Sequence, residues 1–239
     1  MLVATREASI RGTVSWFRVQ SVANAASFAA SGVCPGATVA IACTRVPRAP
    51  GRGGLRVFFD EAEAMVVNVS RRRIECVAPA AIRGRSKTAI SISQRGWWSE
   101  PETVPVVEAD PALFTADGSG TGLADARNDD GHLNSRVHRA RPGSLVILFG
   151  TGEGEVTPPV AEGSPAPSEP WELPRPVLPV RVSIAGSACD VLFAGAVPHA
   201  FGRFQVQAFV PPAIEAGCHE VRAHVGGYES RPGVSLWVG

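Results

Sequence analysis

The pattern with the clearest chemical potential is a glycine-rich run, FGTGEG (Phe149–Gly154), directly after the apolar stretch LVILF. Such a loop cradles a phosphate when a helix follows, because the helix N-terminus then faces the anion. Here VTPP follows, and its two prolines forbid that helix, so the glycines are read as serving tight loop geometry. CHEVRAH (Cys218–His224) has the residue types of a zinc-hydrolase helix, but that motif needs two histidines four apart. His219 and His224 are five apart, and on a strand an odd separation sends them to opposite faces. NDDGHLN (Asn128–Asn134) has the acidity of a calcium loop without its spaced ligands or closing glutamate. It is read as an Asp-Gly turn joining two extended segments. Serine, histidine and aspartate occur without a nucleophile elbow or another ordered triad. The expectation is therefore a non-enzyme, with no catalytic residue, cofactor or metal.

Arg71–Arg73 precedes a strand and Trp97-Trp98 sits at a turn, and a basic run near aromatics is one way to hold single-stranded nucleic acid. Against that, 23 Lys and Arg face 22 Asp and Glu, a formal net charge of +1. So even a balance also gives no electrostatic pull toward anionic lipid. All but one of the basic residues are arginine, Lys87 being the single lysine, which is read as coding bias rather than as a binding surface. Trp97, Trp98 and Trp171 are retained as candidate residues for stacking on sugar rings. The five cysteines show no CxxC spacing and are odd in number, neither a disulfide framework nor a zinc site. If the chain is exported, Cys43 with Cys76 and Cys189 with Cys218 are the candidate pairs, one in each half.

Such residues need elements to position them, and the elements read as strands. The 25 glycines and 20 prolines suit turns, not helices. TVAIACT, LRVFF, AMVVNV, RIECVA and TAISIS follow one another, then LVILF, VRVSI, DVLF, FQVQAFV and EVRAHV. Most are four to seven residues long and rich in Val, Ile and Phe, as strands are. Val221, Ala223 and Val225 alternate with Glu220, Arg222 and His224, the period of a half-buried strand. No segment carries a sustained helical period or an apolar run of membrane-spanning length. The class expected is all-β.

The two halves repeat. Pro35–Thr44 (PGATVAIACT) aligns with Pro142–Thr151 (PGSLVILFGT) at an offset of 107 residues. Arg56 and Val57 align with Arg181 and Val182 at 125, and Gly96–Pro101 (GWWSEP) with Gly227–Pro232 (GYESRP) at 131. The second copy is thus 18 residues longer between its first two matched strands, a difference that includes the proline-rich stretch within 153–176. Two tandem immunoglobulin-like β-sandwiches are expected, over 21–109 and 110–239, after an N-terminal extension over 1–20. LVILF is apolar at every position, which implies cover on both faces. The expected cover is the insert, folded back with Trp171 buried.

The strings NAASFA, ADPALFTADGSGTG, NDDGHLNS, ARPGSLVILFGTGEGEVTPPVAEG, DVLFAGAVPHAFGRFQV and VGGYESRPGVSL carry a family likeness. With them the chain resembles the acidobacterial (Solibacter-type) uncharacterised C-terminal domain family from about Ser21 to its end. The resemblance implies tandem immunoglobulin-like folds of the plexin and transcription-factor (IPT/TIG) kind, closing large exported or surface-attached bacterial proteins. It implies no activity, ligand or catalytic residue. The chain departs from that pattern at Cys43, Cys76 and Cys218 and lacks the family's upstream region, as a detached module, a fragment or a late start would. MLVATREASIRG has no signal-peptide core. The functional expectation is a non-catalytic structural or interaction module, extracellular or at the cell surface by resemblance. Its partner would be a protein or a polysaccharide, with no nucleic acid and no membrane insertion. The alternative is a carbohydrate-binding module using exposed tryptophans.

Overall fold

A computed structural model describes residues 18–44 and 54–239, so residues 1–17 of the expected N-terminal extension lie outside the described residues. The described chain is all β, two tandem immunoglobulin-like sandwiches, with one short 3-10 turn at Ala80–Ile82. The first contains β1 (Val19–Asn24), β2 (Thr38–Cys43), β3 (Arg56–Phe59), β4 (Ala62–Val69), β5 (Arg73–Val77), β6 (Lys87–Gln94), β7 (Trp97–Trp98) and β8 (Glu102–Pro105). The second begins with β9 (Ala112–Leu113), β10 (Gly122–Leu123), β11 (Ala126–Asn128), β12 (Leu145–Thr151), β13 (Val156–Thr157) and β14 (Arg175–Pro176). It continues with β15 (Val180–Ile184), β16 (Ser187–Cys189), β17 (Val191–Ala196), β18 (Phe204–Phe209), β19 (Gly217–Val225), β20 (Tyr228–Glu229) and β21 (Val234–Val238).

In the first domain one continuous sheet folds over its own core. Val39, Ile41, Ile74 and Cys76 from β2 and β5 face Val57, Phe59, Ile90 and Ile92 from β3 and β6, all essentially buried. The fold-over happens at β4, which pairs with β3 through Ala62–Ala64 and with β5 from Met65 onward, with a bulge between Val66 and Asn68. A bulge bends and twists a strand, which lets it change layers. In the second domain the equivalent strand is broken instead: β16 pairs with β15, β17 pairs with β18, and Asp190 lies between them. Its two main sheets are therefore separate, β10-β21-β19-β15-β16 and β11-β12-β18-β17. Between them Leu148, Val182, Phe204, Val206, Val221 and Leu236 are wholly or almost wholly buried. Each such side chain contributes about 1.5–3 kcal/mol of burial.

The duplication is visible in strand register. Val57 pairs with Ile92, and their repeat equivalents Val182 and Ala223 pair likewise. Ser99 and Ser230 hold matching positions. Ser99 Oγ accepts from Ile92 N–H and Ser230 Oγ from Ala223 N–H, at 3.0 and 2.9 Å, while each serine N–H returns a bond to the same residue's carbonyl. The repeated GxxS string thus has one job in both copies, closing the β6–β7 and β19–β20 hairpins onto the sheet.

The insert does fold back, but not as expected. Ala166 and Leu173 pack with Ala196 and Phe193 of β17, and Ala196 N–H donates to Pro174 O. Trp171, expected to be buried, is 78% exposed. The apolar β12 is covered otherwise: Val146 and Leu148 face the core, and Phe149 is capped on its outer side by Arg203. That guanidinium lies over Phe114 and Phe149 and bonds Asp125 at 2.9 Å.

Candidate functional site

The three candidate tryptophans do not share a face. Trp97 is half-exposed at the Gln94 end of β6, while Lys87 at the other end pairs with Pro105, next to the linker. Eight residues at about 3.3 Å each put Trp97 roughly 25 Å from the domain junction. Trp98 turns to the outer face of the sheet, 5.0 Å from the Phe58 ring, and Arg56 covers that ring and pairs with Glu63. Trp171 lies in the second domain's insert. An aromatic platform is present at Trp98, without the other two.

Neither candidate disulfide forms; all five cysteines are free thiols. Cys76 pairs with Val39, four residues before Cys43 on the same strand, not across the sandwich. That is about 13 Å along the strand, well beyond the roughly 7 Å a bridge spans. Cys189 pairs with Val182, which pairs with Ala223, five residues beyond Cys218, so the second pair is two strands and about 17 Å out of register. Burial raises the thiols of Cys34 and Cys76 to about 12 and those of Cys43 and Cys189 to about 11.

The feature sequence reading missed is the junction between the domains, and FGTGEG forms its centre. A methyl on Gly152 would sit 1.9 Å from the Asp110 carbonyl oxygen, and one on Gly154 2.1 Å from that of Glu108. Both glycines have φ in the left-handed region, at +88° and +74°. Glycine alone lets the loop lie directly on the linker Glu108–Asp110 with that backbone. Thr151, fully buried, then reaches the first domain. Its hydroxyl accepts from Thr38 N–H at 2.8 Å and donates to Gly202 O at 2.8 Å, which Thr38 Oγ1 also bonds at 2.8 Å. Asn24 Nδ2 donates to the Asp110 carbonyl at 2.7 Å, Ser31 to its carboxylate at 2.7 Å, and Glu162 of the insert accepts from Ala80 N–H at 2.7 Å. Arg83 and Glu155 close the rim at 2.8 Å.

Glu153 lies inside this junction, 6% exposed, with Oε2 lacking a hydrogen-bond partner. Burial pushes its carboxyl up to about 7, against the pull of the Glu153 and Gly152 backbone N–H groups. Burial first, then the Glu153 and Asp110 charges, raise the neighbouring Cys34 thiol. A cavity of about 90 Å³ adjoins, bounded by Gly36 and Ala78 of the first domain, Glu153, Glu162 of the insert, and Gly202 and Arg203.

The remaining motifs resolve structurally. Asn128 and Asn134, both buried, clamp the NDDGHLN turn: Asn134 bonds Trp237 N–H and carbonyl at 2.8 Å each and Asn128 Oδ1 at 3.0 Å. His219 bonds Glu215 O, and His224 lies 3.9 Å from Glu229. Arg73 covers the Phe28 ring and pairs with Glu75. Among the described residues no three His, Cys, Asp or Glu are grouped to hold a metal, and no helix is long and apolar enough to cross a membrane.

No family model and no curated protein matches the chain. Among solved structures, SGBP-B of the Bacteroides ovatus mixed-linkage glucan utilization locus, in complex with a mixed-linkage heptasaccharide, is 9% identical, with 93% of this chain and 45% of that one covered and a TM-score of 0.38. The plexin A4 extracellular region is 12% identical over 93% of this chain and 18% of that one, TM-score 0.34. The tandem Ig repeats of Dlar are 11% identical over 93% and 91%, TM-score 0.22. The chain spans less than half the length of the first two. Superpositions this loose carry no functional argument; the fold rests on the sheets themselves.

Proposed function

We propose that this chain is a non-catalytic structural and interaction module of a bacterial surface or secreted protein, a rigid two-domain spacer that presents its loops to a protein or polysaccharide. The reading takes its setting from the resemblance to the acidobacterial C-terminal family. The observation that carries it is the junction, where Thr38, Thr151 and Gly202 interlock and the linker is pinned under two glycines. Flexible tethers between domains are polar and make few contacts; this one is buried at Ala109 and hydrogen-bonded at Asp110, which keeps force or a bound partner's orientation from dissipating at a hinge. Backbone NMR relaxation at pH 5 tests it: both domains should tumble with one correlation time, and independent tumbling there would defeat the reading.

The second reading, carbohydrate binding, has its own observation in the Trp98–Phe58 pair beside Arg56 and Glu63 on an outer sheet face. Affinity electrophoresis against a panel of soluble glucans and xylans tests it, with Trp98→Ala as the control; retardation lost in that variant supports the site, and migration unaffected by every glycan removes it.

A further inference from the structure

Glu153 is a carboxyl group where the joint offers it no counter-charge. Its Oε2 has no partner, and a carboxylate out of water without full hydrogen bonding is costly, whereas the neutral acid is far less so. The charged groups around it are committed elsewhere. From the first domain it neighbours the Cys34 thiol, and Asp110 of the linker, which acts on the same thiol, is bonded to Asn24 and Ser31. From the insert, Glu162 lines the adjoining cavity and accepts from Ala80, and Glu155 pairs with Arg83. From β18's approach, Arg203 lines the same cavity; its Nη2 bonds Asp125 and its plane is held over Phe114 and Phe149, and although its Nε is buried without a partner, it makes no hydrogen bond to Glu153.

We propose that Glu153 is a proton-operated latch on the interdomain joint, docked tightly while its carboxyl is protonated and loosened when it ionises. Separation of the domains exposes the Glu153 side to water through the cavity and restores ordinary carboxylate behaviour. The docked joint therefore binds the proton more tightly than the open one, and docking weakens as pH rises between the two values. With about 4.5 for the free carboxyl and about 7 for the docked one, the weakening starts near pH 4.5 and is complete just above pH 7. The difference corresponds to a docking constant reduced up to about 300-fold. Below pH 4.5 both states hold the proton and the latch has no further effect.

Native-state hydrogen exchange of the full chain reads this directly, because Thr38 N–H is bonded across the joint to Thr151. Its protection factor, corrected for intrinsic exchange, should fall by one to two orders of magnitude from pH 5 to pH 8, while that of Val206 in the second core stays level. Glu153→Gln, which mimics the neutral acid, should show the high value at both pH values. A Thr38 profile that is flat in the unaltered chain, or one equally steep in Glu153→Gln, overturns the latch. Should the variant not fold, carbon-13 titration of the Glu153 carboxyl decides: a midpoint near 7 supports the latch and one near 4.5 refutes it. High protection at all pH values would sink the latch and leave the rigid joint of the proposed function standing.

Discussion

Replacing Thr151 by valine removes one hydroxyl and almost no volume, at a side chain with no solvent exposure. Two hydrogen bonds go with it, one from Thr38 N–H and one to Gly202 O. The losses are unequal. Gly202 O retains Thr38 Oγ1 as a donor at 2.8 Å, whereas Thr38 N–H is left buried beside a methyl group. One orphaned donor costs about 1–3 kcal/mol, so Thr151→Val should destabilise by about 2 kcal/mol. Thr38→Val removes only the donation to Gly202 O, which Thr151 still supplies, and should cost under about 1 kcal/mol. Urea unfolding, followed separately by tryptophan fluorescence and far-UV dichroism, measures both. With a slope of about 2 kcal/mol per molar urea, Thr151→Val should lower the midpoint by about 1 M with the slope unchanged. A midpoint within about 0.2 M of the unaltered chain, or a larger loss in Thr38→Val, would show that the hydroxyl does not hold the joint.

Gly152→Ala, with its methyl 1.9 Å from Asp110 O, should yield no stably folded second domain, whereas Gly131→Ala, at φ +81° with open space around it, should cost only about 1–2 kcal/mol by thermal melting. Asn134→Ala should destabilise by about 2 kcal/mol or more, since it strips partners from Trp237 and Asn128 together; a loss under about 0.5 kcal/mol would mean the loop repacks. Trp171→Ala should change stability by less than about 0.5 kcal/mol, as an exposed side chain does; a loss near 3 kcal/mol would restore the buried position expected from sequence. At pH 8 a thiol reagent should modify Cys218 quickly and leave Cys34, Cys43 and Cys76 untouched until denaturant is added, when five thiols should react. Fewer than five would reveal a disulfide.

The all-β class and the duplication were legible because both are carried by local chemistry. Period-two alternation places Val221, Ala223 and Val225 on the core side, and the offsets of 125 and 131 anticipate that Val182 meets Ala223 as Val57 meets Ile92. The cysteine pairs failed because strand membership says nothing about register: Cys43 and Cys76 lie on neighbouring strands, out of step by four residues. Trp171 failed because cover for β12 was sought in the nearest unmatched segment, while a distant arginine, Arg203, provides it across the sheet. FGTGEG was rightly read as demanding tight backbone geometry, yet what the backbone had to approach is Glu108–Asp110, some forty residues earlier in the chain. Glycine declares that something is close without saying what. Glu153 is the extreme case: by type it is a surface residue, and only the tertiary structure withdraws it from water, the change that raises its carboxyl to about 7.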